Sequence, residues 1–154
     1  MRKKEVSVKN NVLCYSVGAL LYCPANKTTI ADSIINEKLG KNFSLALCLE
    51  DTINDDFVDE AEQILAESIN KIYTQYQIKP FYLPKIFIRV RNPKQISVLT
   101  KSFGKAIDII TGFNIPKFNP DNAQLYINEI IRANELAIKP LYMMPIYESS
   151  SIID

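Results

Sequence analysis

Short apolar runs alternate with longer amphipathic stretches along this chain. That alternation predicts successive βα units and a parallel sheet. Five strands are legible, at Ala19 to Cys23, Ser44 to Leu49, Lys85 to Arg91, Ile109 to Ile115 and Pro140 to Ile146. The clearest helix runs from Asp55 to Tyr76, where Phe57, Ala61, Ile64, Leu65, Ser68, Ile69, Ile72 and Tyr76 repeat at the spacing of one buried face. Its acidic start, Asp55, Asp56, Asp59 and Glu60, suits the positive end of a helix dipole. The last helix has Asn119 as its cap and Pro120 at its first position. Leu125, Ile130, Ala133 and Leu136 are its apolar positions, and Pro140 lies beyond its end. Two more helices are predicted, one from Thr28 to Leu39 stopped by Gly40 and one after Pro93 stopped by Gly104, with Gln77 to Pro84 as a linking loop.

Side chains alternate faces along a strand, so a strand with helices on one side should carry two different residue sets. The second strand puts Leu45, Leu47 and Leu49 on one face and Ala46, Cys48 and Glu50 on the other. The third strand repeats this, with Ile86, Ile88 and Val90 opposite Phe87, Arg89 and Arg91. In both, the charges come late, at the carboxyl end. Lys117 follows the fourth strand and Glu148 the fifth, so Glu50, Asp51, Arg89, Arg91, Lys117 and Glu148 are predicted to converge where parallel α/β sheets bind ligands. Charged residues also flank strands simply because strands end at water, and for any one of these six that reading weighs about evenly. Four strands behaving alike, with arginines on the face away from the helices, favour a site.

Composition narrows the chemistry. With 154 residues, 47% of them hydrophobic and 23% charged, the chain suits one ordinary domain with its own core. A net charge of +1 offers no footprint for nucleic acid or an anionic membrane, and no apolar run approaches membrane-spanning length. Cys14, Cys23 and Cys48 are odd in number and form no CxxC pair, and two of them lie in apolar runs where a cysteine packs as a small hydrophobe, which suits a reduced, cytoplasmic protein. There is no histidine. That excludes Ser-His and Cys-His nucleophile pairs and HExxH zinc sites, leaving carboxylates, Lys, Arg, Tyr or a metal held by oxygen. A doubly wound nucleotide-binding domain would also fit five strands, but the loop Pro24-Ala25-Asn26-Lys27-Thr28 has no glycine to bring amides onto phosphate, and neither GxGxxG nor a P-loop occurs. Met143 and Met144, within the fifth strand, read as core residues, and Tyr22 and Tyr147, near strand ends, are placed to approach a substrate, with packing the weightier reading for both.

The strand ends carry a family resemblance. Leu20-Leu21-Tyr22-Cys23-Pro24-Ala25 resembles the first-strand "LFVPA" segment of the HpcH/HpaI aldolase and citrate lyase superfamily, and Leu47-Cys48-Leu49-Glu50-Asp51-Thr52 its second-strand "LDLEDAV". Ile88-Arg89-Val90-Arg91-Asn92-Pro93 is similar to "VRVNP", Gly112-Phe113-Asn114-Ile115-Pro116-Lys117 to "GIVLPK", and Met144-Pro145-Ile146-Tyr147-Glu148-Ser149 to "LLIET". Five matches in order cover about residues 16 to 149, and within the superfamily they resemble the citrate-lyase-like proteins of tellurium-resistance gene clusters.

The resemblance implies an α/β fold in which five strands and four helices form the first half of a TIM (β/α)8 barrel at residues 19–148, between an arm at 1–18 and a tail at 149–154. It also implies a carbon–carbon bond lyase acting on a small acyl or 2-oxo acid substrate, or its CoA thioester, through an enolate stabilised by Mg²⁺. Arg89 or Arg91 would match the family arginine that grips the substrate, Glu148 the first metal-ligand carboxylate, Glu50 and Asp51 the acidic pair near the ion, and Lys117 the lysine after the fourth strand. The family's second metal carboxylate follows a sixth strand, and the sequence stops at Asp154 before one. The expectation is therefore a truncated chain, incomplete alone, that forms a homo-oligomer or takes a complementing half-barrel chain. The alternative is a non-catalytic half-barrel interaction protein. In either case the inner face is expected to expose Phe87, Ile109 and Phe113.

Overall fold

The computed structural model describes residues 15–148; Cys14, most of the amino-terminal arm and the tail from Ser149 lie outside the described residues. Strands β1 (Ala19–Pro24), β2 (Phe43–Cys48), β3 (Lys85–Arg89), β4 (Ile110–Ile115) and β5 (Tyr142–Pro145) form one sheet in chain order, every neighbouring pair parallel. Parallel neighbours need a crossover, and helices α1 (Ile30–Ile35), α2 (Val58–Ile78), α3 (Pro93–Phe103) and α4 (Pro120–Leu136) supply four. This is the alternating βα architecture of half a TIM barrel, as the sequence predicts.

The outward strand residues Leu45, Leu47, Leu49, Ile86, Ile88, Val90, Phe113 and Ile115 join Ala61, Leu65, Ile69 and Ile72 of α2 and Ile96, Leu99 and Phe103 of α3 in one core. Leu65, Ile69 and Ile72 are fully buried, and each such side chain contributes roughly 2 kcal/mol of transfer free energy. Helix starts follow the expected chemistry. The Asn92 side chain accepts from the Gln95 amide ahead of Pro93, and Asn119 and Asn122 form a reciprocal capping box ahead of Pro120.

Several expectations need correction. Phe57 falls in a short 3-10 turn, Asp55–Phe57, ahead of α2 and is 54% exposed. In α4 the buried face is Tyr126, Ile130 and Ala133, whereas Leu125 and Leu136 are exposed. A 3-10 segment, Gly104–Ile109, precedes β4 and takes Ile109 into the core, and Phe113 faces the helices. Phe87 does face inward but is only 2% exposed. Its partners across β2 and β4 are Ala46 and Gly112, so a large ring sits between two small residues.

Candidate active site at the carboxyl end of the sheet

Pairing brings Pro24, Cys48, Arg89, Asn114 and Met144 into one lateral row across the five strands. These are inward positions, since their chain neighbours Cys23, Leu47, Ile88, Phe113 and Met143 pack with the core on the other face. The row lies at the carboxyl end of the sheet, and the loops beyond it deliver the charged groups.

Arg89 is the last residue of β3 and is buried. Its Nε and Nη2 donate to Glu50 Oε2 at 2.9 and 2.6 Å, and Nη2 also donates to Asp51 Oδ2 at 2.8 Å and, at 3.5 Å, to Glu148 Oε1. Lys117 Nζ donates to the other Glu50 oxygen at 2.8 Å, and the Lys117 amide donates to Glu148 Oε1 at 3.0 Å. Three carboxylates from the ends of β2 and β5 thus surround one guanidinium, with a lysine from the end of β4 closing the ring. Lys117 holds a left-handed backbone, φ +50°, which turns its amide toward Glu148.

Titration follows from these contacts. Burial opposes ionisation of Glu50, but the hydrogen bonds it accepts from Lys117 and Arg89, with the charge of Arg89, outweigh it and hold its carboxyl below the ordinary glutamate value. Burial likewise disfavours the Arg89 cation, yet bonding to Glu50 and the charges of Glu50 and Asp51 keep its pKa raised. Lys117 is raised by its hydrogen bond to Glu50 and by the charge behind it. Both cations therefore stay protonated, and in formal charges three carboxylates face them.

Arg91 is not part of this ring. β3 ends two residues before it, and its side chain turns into the β2–α2 loop. There its Nε donates to the Leu49 carbonyl at 2.6 Å and Nη2 to those of Glu50, at 3.1 Å, and Ile53, while Nη1 pairs with Asp55. The Arg91 amide is itself fixed by Gln95 Oε1 at 2.7 Å. Of the six charged residues expected at one mouth, five meet, and the sixth holds the loop that carries two of them. Tyr22, read from sequence as packing, is half exposed and sets its ring 5.9 Å from the Arg89 guanidinium carbon. Tyr147 is also exposed, edge-on to Phe118. Asn114, fully buried beside Arg89, was missed. Its signal is present in the sequence, since period-two alternation places it with Gly112 on the inward face, the one amide side chain of the fourth strand.

The family model described as C–C bond lyase of the TIM-barrel fold matches residues 11–154. The chain belongs to that family. No curated protein matches it. The TIM-barrel assignment agrees with five parallel strands alternating with helices, and in that fold active sites occupy the carboxyl face where the Arg89 ring lies. Among the described residues, no group of three or more His, Cys, Asp or Glu side chains is arranged as a ready metal cage. Mg²⁺, however, is commonly bound through one or two carboxylates with waters and substrate oxygens completing its shell. Glu148 fits that role, being an oxygen donor, part exposed, at the strand end, with both of its described bonds on Oε1.

Proposed function

We propose that this chain carries the Arg89-centred part of a carbon–carbon bond lyase site, working on a small acyl or 2-oxo acid substrate or its CoA thioester, in the citrate lyase and HpcH/HpaI-like branch with its tellurium-cluster variant. The observation that carries this reading is the convergence of Glu50, Asp51 and Glu148 on one buried guanidinium at the carboxyl end of a parallel sheet. Such a lyase breaks a bond next to a carbonyl and leaves negative charge on the enolate oxygen. Glu148 would hold Mg²⁺ at the strand end, and that ion would supply electrostatic stabilisation of such a charge.

The chain's own residues do the rest. Of the planar fork of Arg89, Nε and Nη2 are committed to carboxylates, and Nη1 is the donor that meets a substrate carboxylate or carbonyl. Glu50 fixes that fork through two bonds to one oxygen, and Asp51, the more exposed carboxylate, lies at the mouth beside it. Lys117 neutralises Glu50 and positions Glu148 through its amide. A protonated Lys117 is no nucleophile, so a Schiff-base route is disfavoured. The excess negative charge of the ring favours a divalent cation as companion to an anionic substrate. Buried Cys23 and Cys48, with free thiols, suit the reducing cytoplasm, and no helix among the described residues is long and apolar enough to cross a membrane.

A second reading, a half barrel whose main role is association, is favoured by the edge strands. Leu21 and Tyr22 on β1 and Tyr142 on β5 are exposed. In a closed barrel both edges would be paired. One experiment separates the readings. The chain is sized by light scattering during a Mg²⁺ titration, and acetyl-CoA or pyruvate release from citramalyl-CoA, malyl-CoA and 4-hydroxy-2-oxo acids is followed in parallel. Mg²⁺-dependent release that Arg89→Lys and Glu148→Gln both abolish supports the lyase reading. A self-associated or partner-completed chain that releases nothing supports the second.

A further inference from the structure

Asn114 is the one residue of the inward row whose polar chemistry is left open. Its side chain is fully buried, yet Oδ1 is the single buried side-chain oxygen or nitrogen among the described residues with no hydrogen-bond partner. Buried amides are almost always satisfied, so an orphaned acceptor beside a reactive ring asks for a donor from elsewhere. The other arm is held, since Nδ2 donates to the Tyr22 hydroxyl at 3.4 Å. Tyr22 is half exposed and its ring lies beside Arg89, so one side chain borders both the amide and the guanidinium. Arg89 and Asn114 are directly paired across β3 and β4 and point to the same face, one strand spacing apart.

We propose that Asn114 is a specificity-determining residue of this site, its Oδ1 accepting a hydrogen bond from a hydroxyl next to the carboxylate or carbonyl gripped by Arg89, while the Tyr22 hydroxyl continues to hold Nδ2. The inference rests on the reading that Arg89 grips such an anion. The orphan is an acceptor, so it selects a donor. A hydroxyl meets that need, whereas a keto oxygen or a bare methylene does not. Rejection of the analogue lacking the hydroxyl follows, because that analogue leaves the amide buried and unpaired.

The test is titration calorimetry of the whole chain in excess Mg²⁺ with malate and with succinate, two dicarboxylates that differ by one hydroxyl. The wild type is expected to bind malate about tenfold or more tighter than succinate, the ratio that one buried unpaired acceptor sets. Asn114→Leu, close in shape and without polar atoms, is expected to bring the two ligands to equal affinity. Tyr22→Phe, at an exposed position, removes the hydroxyl that orients the amide and is expected to cut the preference several-fold, which keeps the inference testable if Asn114→Leu does not fold. Equal binding of both ligands by the wild type overturns the selectivity while leaving the anion site intact. A malate preference that survives both substitutions assigns Oδ1 to a buried water and overturns it too. Absence of any binding removes the Arg89 anion site itself, and this inference with it.

Discussion

Arg89 and Arg91 are two residues apart, and their environments assign them different work. Arg89 is ringed by carboxylates, whereas Arg91 is spent on three carbonyls of the β2–α2 loop and on Asp55. Arg91→Ala is therefore expected to cost about 2 kcal/mol of stability by leaving those carbonyls without their charged donor, measured by chemical denaturation. Arg89→Ala is expected to cost more, about 3–5 kcal/mol, because it strands Glu50 at 10% side-chain exposure without its main partner. A larger loss for Arg91→Ala than for Arg89→Ala would reverse the assignment. Glu50 adds a pH signature. Its folded pKa lies below the unfolded value of about 4.3, so its contribution is fully present above that pH and is lost as pH falls through the folded value. The melting-temperature gap between wild type and Glu50→Gln should accordingly close in acid, below about pH 4, and stay constant near neutrality. These roles were only half legible beforehand. Strand periodicity places both arginines on one face, but the strand stops at Arg89, and the twist beyond it decides where Arg91 turns.

At the scale of elements, the strands and helix caps were the most legible part, because apolar alternation and Asn-Pro pairs each have one strong structural outcome. The faces of α4 were not. Leu125 and Leu136 follow a helical spacing, yet Tyr126 is buried in their place, its phenol reaching the Arg91 carbonyl at 3.5 Å. Which of two apolar stripes is buried depends on neighbours that one helix's periodicity does not encode. The β4–β5 pairing has a stricter requirement. A Cβ built on Gly112 would run into the Tyr142 carbonyl, and the register slips by one residue just before Gly112 pairs with Phe87. Backbone cannot yield as a flexible side chain does, so Gly112→Ala is expected to push β5 away and cost about 3 kcal/mol, read as lowered thermal stability with faster amide exchange in 142–145. A neutral Gly112→Ala would mean that β5 is not held against β4 as described. Asn119→Ala, losing a capping box, is expected to cost about 1 kcal/mol and to leave β5 untouched.

At the scale of the molecule, five strands hold their row of inward side chains without closing a barrel. The described residues present β1 and β5 as edges and place a mostly apolar cavity of about 320 Å³ beside β5, lined by Val17, Phe87, Thr111, Tyr142 and Met144 among others. The cavity wall runs up to Met144, in the row of Arg89 and Asn114, so along the strands apolar lining gives way to the charged ring. That division was legible in sequence as strands that are small or apolar early and charged late. The inward burial of Phe87 and the orphaned Asn114 amide were not, since both depend on which residues the register sets beside them. The central claim, an Arg89-centred site that stabilises an enolate, is tested most directly by following exchange of the pyruvate methyl protons with deuterated solvent by proton NMR. The account predicts Mg²⁺-dependent exchange above the rate with Mg²⁺ alone, falling to that background in Arg89→Lys and Glu148→Gln. Exchange by the folded wild type no faster than Mg²⁺ alone would contradict it.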